Sequence, residues 1–223
     1  MRSLIRGNYS QILVLFALLV VIIMIMTFLK SNEMKYKVSP VPAFDGTATV
    51  INDRYYNKAY NFGIARPNNF WEFSYHDRLD SLRKQDLTRP LLSNVNDLVR
   101  LFRRDLSDTI SVVRTGIIHL AEPRNSQQLA EQCLQEILAA HPLPDTVRVI
   151  RGVTKTGYGS RLRAYFMIEL PAKDRSPYPI WIVLFDVQQL RAYTIICQVR
   201  SELYDLLRKD FESILTSFRF YQS

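Results

Sequence analysis

Residues 12–29, ILVLFALLVVIIMIMTFL, carry no charge, and Thr27 is their one polar side chain. As an α-helix these eighteen residues would cover about 27 Å, close to the roughly 30 Å hydrocarbon core of a bilayer. A buried core helix would rarely be apolar on every face. A cleaved signal peptide would end in small residues, whereas this stretch runs into Thr-Phe-Leu-Lys-Ser-Asn. We therefore predict an uncleaved transmembrane helix, with membrane-anchor residues Ile12, Leu15, Leu19, Ile22, Ile25 and Leu29.

The predicted helix divides the chain into four parts. Residues 1–11 form a short N-terminal tail, and residues 12–29 form the membrane span. Residues 30–46 read as a linker, which Pro40 and Pro42 stiffen because each proline favours an extended residue before it. Residues 47–223 are long enough to bury the core of one globular domain.

The charges that flank the span do not settle its orientation. Arg2 and Arg6 precede it, while Lys30, Lys35 and Lys37 follow it, so the positive-inside bias does not favour a cytoplasmic N-terminus. A short tail, an uncleaved anchor and a large C-terminal domain are nevertheless typical of a signal anchor, and large domains cross largely regardless of charge. We predict that the domain lies outside the cytoplasm.

The chain is basic, with a net charge of +8, of which residues 30–223 carry +6. A tethered domain of this charge would be attracted to anionic lipid headgroups. Nucleic acid is not expected as a partner, because no binding motif is present and acidic residues alternate with the basic ones. Two basic surfaces are candidates for partner binding, although both sets also fit solvated strand faces. The first contains Arg100, Arg103 and Arg104 with Arg83, Lys84 and Arg89, and the second contains Arg148, Arg151, Lys155, Arg161 and Arg163.

No residue pattern points to catalysis. The three histidines, His76, His119 and His141, are far apart and do not have a metal-ligand spacing. Nucleophile-elbow, phosphate-loop and dinucleotide-binding motifs are absent from the sequence. We therefore predict a protein that is not an enzyme and has no catalytic, cofactor-binding or metal-binding residues. A small-molecule ligand stays possible as a partner.

Cys133 and Cys197 are the two cysteines of the chain. They permit a single disulfide, which is too few for a disulfide framework. Because each lies in an apolar setting, they also read as two small buried hydrophobic residues. Trp71 and Trp181 lie in apolar strand patterns and are predicted to belong to the core.

Hydrophobic alternation predicts most of the strands. Thr47–Tyr60 reads as a short strand entering a turn, and Tyr60–Tyr75 as a hairpin of two strands joined at Pro67. Leu98–Leu106 fits either a capped helix or a strand followed by a turn, and the β-branched run Ile110–Leu120 reads as a strand. The later strand candidates are Thr146–Ile150, Leu162–Leu170, Ile180–Val187 and Arg191–Val199, with Gly157 and Gly159 in a loop.

Two helices complete the domain. Ser126–His141 is predicted to begin with a Ser126 cap and to bury Leu129, Cys133, Ile137 and Ala140 on one face. The second runs from Ser201 to about Thr216, with an apolar stripe of Leu203, Leu206, Leu207, Phe211, Ile214, Leu215 and Phe218. The order of elements predicts an α+β fold in which helices pack on a mostly antiparallel sheet.

Three segments resemble the PsbP/DcrB-like superfamily, whose fold is an α/β/α sandwich. They are the strand–Pro–Trp–strand of Phe62–Ser74, the helix of Ser126–Leu138, and the closing strand and helix of Ala192–Phe220. The resemblance covers about Ala59 to the end of the chain. It implies a binding or assembly module with no shared catalytic residues to carry over. A protein anchored by a helix departs from the lipoprotein members of the family.

Taken together, these features predict a non-catalytic, single-pass membrane protein that acts as an accessory or assembly subunit of a larger membrane complex. Its partners would be the lipid bilayer and other membrane protein subunits. The expected location is a bacterial-type inner membrane, with the domain on the periplasmic side. The alternatives are an envelope protein that binds a lipid or small apolar ligand between sheet and helix, and a hydrolase or transferase of unrecognised type.

Overall fold

The computed structural model describes residues 46–75, 88–106, 111–141, 147–158, 161–170 and 179–221, and Met24 before them. The chain divides into two compact units, Met1–Pro40 and Val41–Ser223. The predicted anchor and linker lie outside the described residues, apart from Met24 and Gly46, so both stay predictions. Within the described ranges, no helix is long and apolar enough to cross a membrane.

Two antiparallel sheets and two α-helices make up the described domain. The strands are β1 (Ala48–Ile51), β2 (Arg54–Asn57), β3 (Phe62–Ala65), β4 (Trp71–Tyr75), β5 (Asn96–Arg103), β6 (Ser111–His119), β7 (Arg148–Tyr158), β8 (Arg161–Glu169), β9 (Ile180–Gln188), β10 (Arg191–Val199) and β11 (Arg219–Phe220). The α-helices are α1 (Ser126–Ala140) and α2 (Tyr204–Ser217), with 3₁₀ turns at Leu91–Asn94 and Ser201–Leu203. The main sheet has the order β4-β5-β6-β10-β9-β8-β7, and the small sheet has the order β1-β2-β3-β11.

The central strand β10 is buried on both faces of the main sheet, and only Arg191 is exposed. Tyr193 and Ile195 point into a core that is closed by the small sheet and by Leu207 and Phe211 of α2. Ala192 and Ile196 point the other way, into a second core that is closed by α1. A strand covered on both sides is mostly apolar in sequence, and within Ala192–Val199 only Thr194 and Gln198 are polar.

Aromatic side chains join the small sheet to the main sheet. The ring of Phe62 on β3 lies 5.9 Å from that of Tyr193 and 5.4 Å from that of Phe218, measured between centroids. The Tyr193 hydroxyl donates a hydrogen bond of 2.9 Å to the carbonyl oxygen of Tyr60. Such ring pairs stabilise the fold beyond the burial of their apolar area, because the edge of one ring attracts the face of another.

The predicted hairpin within Tyr60–Tyr75 is wrong, although both of its strands exist. β3 pairs with β2 and β11 in the small sheet, whereas β4 is the edge strand of the main sheet. Between them the Arg66 guanidinium donates to the Asp53 carboxylate at 2.8 Å and to the Trp71 carbonyl at 3.1 Å. Alternation identifies a strand with one buried face, but it does not identify the sheet to which the strand belongs.

Thr47–Tyr60 contains two strands rather than the predicted one. β1 and β2 form a hairpin whose turn residues, Asn52 and Asp53, have φ values of 47° and 63°. Two successive residues at positive φ are what a two-residue type I′ turn requires, and Asn and Asp tolerate that conformation.

Helix α1 begins one residue later than its cap, which is Asn125 and not the predicted Ser126. The Asn125 side chain accepts from the Gln128 amide at 2.9 Å, and the Gln128 side chain accepts from the Asn125 amide at 3.0 Å. This capping box leaves the Ser126 hydroxyl free to donate to the Leu162 carbonyl at 3.1 Å. Of the predicted face, Leu129 and Cys133 are buried, Ile137 is partly buried, and Ala140 is exposed.

Other boundaries also differ from the prediction, most of all at β7, which runs from Arg148 to Tyr158 although the predicted strand ended at Ile150. The ambiguous segment Leu98–Leu106 contains part of strand β5, and Gly157 lies within β7 rather than in a loop. Helix α2 starts at Tyr204, after the 3₁₀ turn, and Leu206 of its predicted stripe is exposed. The pairing of β9 with β10 is confirmed.

A buried ion pair fastens the end of α2 to the main sheet. The Arg163 guanidinium on β8 donates from Nε to Asp186 Oδ2 on β9 at 2.8 Å, and both side chains are buried. Its Nη2 donates to the Phe218 carbonyl at 2.8 Å, just after α2 ends. Arg163 thus supplies a partner for a carbonyl that helix geometry leaves unsatisfied.

We expect Arg163→Met to lower the free energy of unfolding by about 3–5 kcal/mol, because Asp186 would stay buried without its cation. Chemical denaturation followed by circular dichroism measures this loss. The matched control is Arg104→Met, whose partner Glu72 forms an exposed pair and whose loss should cost at most about 1 kcal/mol. Equal effects of the two substitutions would contradict the role assigned to Arg163.

Substitution by alanine should destabilise the domain at one glycine of the main sheet and have almost no effect at another. A Cβ atom at Gly116 would lie 2.5 Å from the Asn96 carbonyl oxygen, whereas one at Gly152 would meet no atom within 4 Å. We expect Gly116→Ala to destabilise the domain by about 1–3 kcal/mol through backbone displacement. Gly152→Ala should change stability by less than about 0.5 kcal/mol. Thermal unfolding of the two variants measures the difference, and a Gly152→Ala effect as large as that of Gly116→Ala would contradict it.

Candidate interaction surfaces

The two predicted basic surfaces lie at opposite edges of the main sheet. Arg100 and Arg103 are on β5, and Arg104 follows it, next to the edge strand β4. Arg148, Arg151 and Lys155 are on β7, the other edge strand. Arg83 and Lys84, which were added to the first set, lie outside the described residues.

The charge of the first surface, which we call the β5 surface (Arg100, Arg103 and Arg104), is offset by acidic side chains. Arg100 pairs with Asp97 at 2.8 Å, and Arg114 on β6 pairs with the same carboxylate at 3.0 Å. Arg104 pairs with Glu72, across the β4–β5 pair. Among the described residues of this surface, neighbouring carboxylates therefore offset the cations.

Arg103 is held in a local network rather than presented to solvent. It pairs with Asp105, and its hydrogen bond to that carboxylate lowers the pKa of Asp105. Its guanidinium lies over the Phe70 ring, 5.4 Å from the centroid, and 3.9 Å from Asp210 on α2. Asp210 also accepts from the indole Nε1 of Trp71 at 2.7 Å. This network joins α2 to β4 and β5, and Trp71 is a core residue as predicted, with no exposed surface.

The second surface, which we call the β7 surface (Arg148, Arg151 and Lys155), has more positive than negative charge among the described residues. Arg148 pairs with Glu169 at 3.4 Å. Arg151 donates to the Tyr165 hydroxyl, and its guanidinium lies 5.8 Å from the centre of that ring. Lys155 is exposed and forms no ion pair among the described residues. Within the described part of the chain, three cations thus face one carboxylate on a strand that also exposes Val149 and Ile150.

The predicted second surface also included Arg161 and Arg163, which do not form one surface. Arg163 is buried against Asp186 and is not a surface residue, because the β8 register turns it into the core beside α2. Arg161 is placed by its backbone, at the start of β8 opposite Tyr158.

The structure describes two of the three histidines, His119 and His141, whereas His76 lies outside the described residues. His119 is half-buried at the end of β6, where burial and then the charge of Arg191 lower its pKa. His141 caps the C-terminus of α1, with Nδ1 2.9 Å from the Ile137 carbonyl oxygen. Among the described residues, no group of three or more His, Cys, Asp or Glu side chains could hold a metal ion.

The two cysteines are free thiols, and both are buried. Cys133 belongs to the core beneath α1, while Cys197 belongs to the core on the other face of the main sheet. The prediction of two small buried hydrophobic residues is confirmed. Burial is the main cause that raises the pKa of each thiol, and Glu136 adds to the effect at Cys133.

Sequence reasoning counted the cations but missed the acids that the fold brings beside them. Glu72 and Arg104 are 32 residues apart, and Asp97 and Arg114 are 17 apart. Such pairs become neighbours only through strand pairing, so the sequence gives no local signal for them. Gly152 lies beyond the predicted strand Thr146–Ile150, and only the observed length of β7 places this glycine inside a strand.

The sequence matches no protein-family model and no curated protein. The structure is similar to the solution structure of cyanobacterial PsbP (CyanoP) from Synechocystis sp. PCC 6803, with a TM-score of 0.51. The match covers 82% of this chain and 98% of that one, at 9% sequence identity. The described domain has a PsbP-like fold. The fold that the sequence resemblance implied is thereby confirmed, and an identity this low shows the fold alone.

We expect neither thiol to react with a small thiol reagent in the folded protein. Raising the pH to about 9 would ionise an exposed thiol, but the raised pKa keeps both buried groups protonated. Ellman-type labelling should therefore count no thiols in the folded chain and two after unfolding in guanidinium chloride. Labelling of one thiol in the folded state would contradict the burial of that cysteine.

Proposed function

We propose that this protein is a non-catalytic, single-pass membrane protein whose PsbP-like domain binds other subunits of a membrane complex. The domain lies outside the cytoplasm, at a bacterial-type inner membrane. Its role is that of an accessory or assembly subunit, which acts through contact with its partners and not through a reaction.

The observation that carries the proposal is the order of segments along the chain. An uncharged, apolar stretch at 12–29 comes first, a short proline-containing linker follows, and a PsbP-like domain comes last. Tethering by such an anchor raises the effective concentration of the domain at the membrane surface, so that weak contacts with membrane subunits suffice. The fold supports a binding role, because the family that the sequence resembles consists of binding and assembly modules.

The β7 surface supports contact with a protein. It places exposed Val149 and Ile150 beside Arg151 and Lys155 on one strand. A protein interface usually combines an apolar core with a polar rim, and arginine is enriched in it. No comparable observation favours the lipid or small-ligand alternative, so that reading enters below as an outcome of the test.

We expect the full-length protein to remain in the membrane fraction after carbonate washing, and to retain a stoichiometric set of membrane subunits in a mild-detergent pull-down. Leu19→Lys with Ile22→Lys should release it, because a charged residue at the centre of a span costs about 2.5–3.5 kcal/mol on insertion scales. Leu19→Ile with Ile22→Leu is the matched control and should stay membrane-bound.

Native mass spectrometry of the recovered protein separates the alternatives. Co-purified subunits in constant ratio support an accessory role. Recovery of the protein alone would contradict that role, and recovery with a bound lipid or small molecule would replace it with the ligand-binding alternative. Release of the wild-type protein by carbonate would overturn the membrane anchor.

A further inference from the structure

We propose that the outer edge of β7 accepts an extended, acidic segment of a partner protein as an added strand of the main sheet. This inference rests on the proposed function and specifies both the docking surface and the chemistry of the partner. An added strand would gain backbone hydrogen bonds along β7, while its carboxylates would meet the cations of that strand.

The position of β7 is the first observation. It is the last strand of the main sheet, runs from Arg148 to Tyr158, and pairs among the described strands with β8 alone. The backbone groups of an edge strand that point away from the sheet are a template for another strand. At the opposite edge, β4 is five residues long and its flanking arginine, Arg104, is engaged by Glu72.

The backbone of β7 is accessible at its glycines. Gly152 and Gly157 are exposed, and a Cβ at either position would have no atom within 4 Å. Pairing with β8 is irregular between Val149 and Thr154 but regular from Thr154 to Tyr158. The regular run of five residues, about 17 Å long, is the part of the edge that a partner strand can follow.

Charge decides which kind of strand fits. Lys155 is exposed within the regular run, and Arg151 is exposed three residues before the run begins. The nearby carboxylate of Glu169 pairs with Arg148. A second copy of β7 would place cations against cations, which is unfavourable for directly opposed side chains. An acidic segment would instead gain from the same charges, so the edge selects an acidic partner over self-association.

The probe for this site is a fluorescent nonapeptide of alternating Glu and Val, titrated into the full-length protein in detergent and followed by anisotropy. Two matched peptides serve as controls: one with Lys in place of Glu, and one with the acidic sequence N-methylated at alternate residues on one edge. We expect the acidic peptide to bind at least tenfold more tightly than either control. Hydrogen exchange should show new protection of the amides of β7.

Charge-reversal variants of the protein test whether the cations of β7 contribute to binding of the acidic peptide. Arg151→Glu with Lys155→Glu should weaken binding of the acidic peptide at least tenfold and favour the Lys peptide. Lys58→Glu with Lys209→Glu makes the same change in net charge at exposed positions on the β2–β3 turn and on α2, and should alter binding less than twofold. Thermal unfolding of each variant confirms that it is folded before binding is compared.

Three results would overturn the inference. They are no binding of the acidic peptide, equal binding of the N-methylated peptide, which would indicate charge alone, and protection confined to amides outside β7. The pull-down then separates this inference from the proposed function. If Arg151→Glu with Lys155→Glu still recovers the same subunits, β7 is not the docking edge and the accessory role stands. If the wild-type protein recovers no subunits, the accessory role fails whatever the peptide does.

Discussion

Burial of β10 on both faces is the constraint on which the other layers depend. Its apolar side chains alternate between two cores, so neither face of the main sheet can be left in water without exposing part of the strand. Helix α1 covers one face, and the small sheet with α2 covers the other. The buried pair of Arg163 and Asp186 holds the end of α2 in place, where an unpaired charge would be costly.

Charge is distributed unevenly over the edges of the main sheet. At the β4–β5 edge, strand pairing brings Asp97 and Glu72 beside the arginines and largely neutralises them. At the β7 edge, the cations that the structure describes outnumber the carboxylates, and the glycines leave the backbone accessible. The net charge of the chain is therefore a weaker guide to its partners than the position of the cations that no nearby carboxylate neutralises.

Much of the fold follows from local pattern. Strands β6, β9 and β10 were predicted because they are rich in β-branched and other apolar residues, and helix α1 was predicted because its apolar residues recur with a helical period. The pairing of β9 with β10 was also predictable, since two residues join them and leave one arrangement within reach. Of the candidate surface residues, the sequence identified the cations of β7, but it grouped them with the buried Arg163.

The sequence by itself determined which segments are apolar enough to be strands, most of the buried face of each helix, and that residues 12–29 carry no charge. Tertiary structure alone decided that β3 and β4 lie in different sheets, that Arg163 is inside, and which arginines are neutralised. The physical reason is distance along the chain. Periodicity is set by neighbours within one element, whereas the partners of Arg163 and Arg104 are 23 and 32 residues away and meet them only when strands pair.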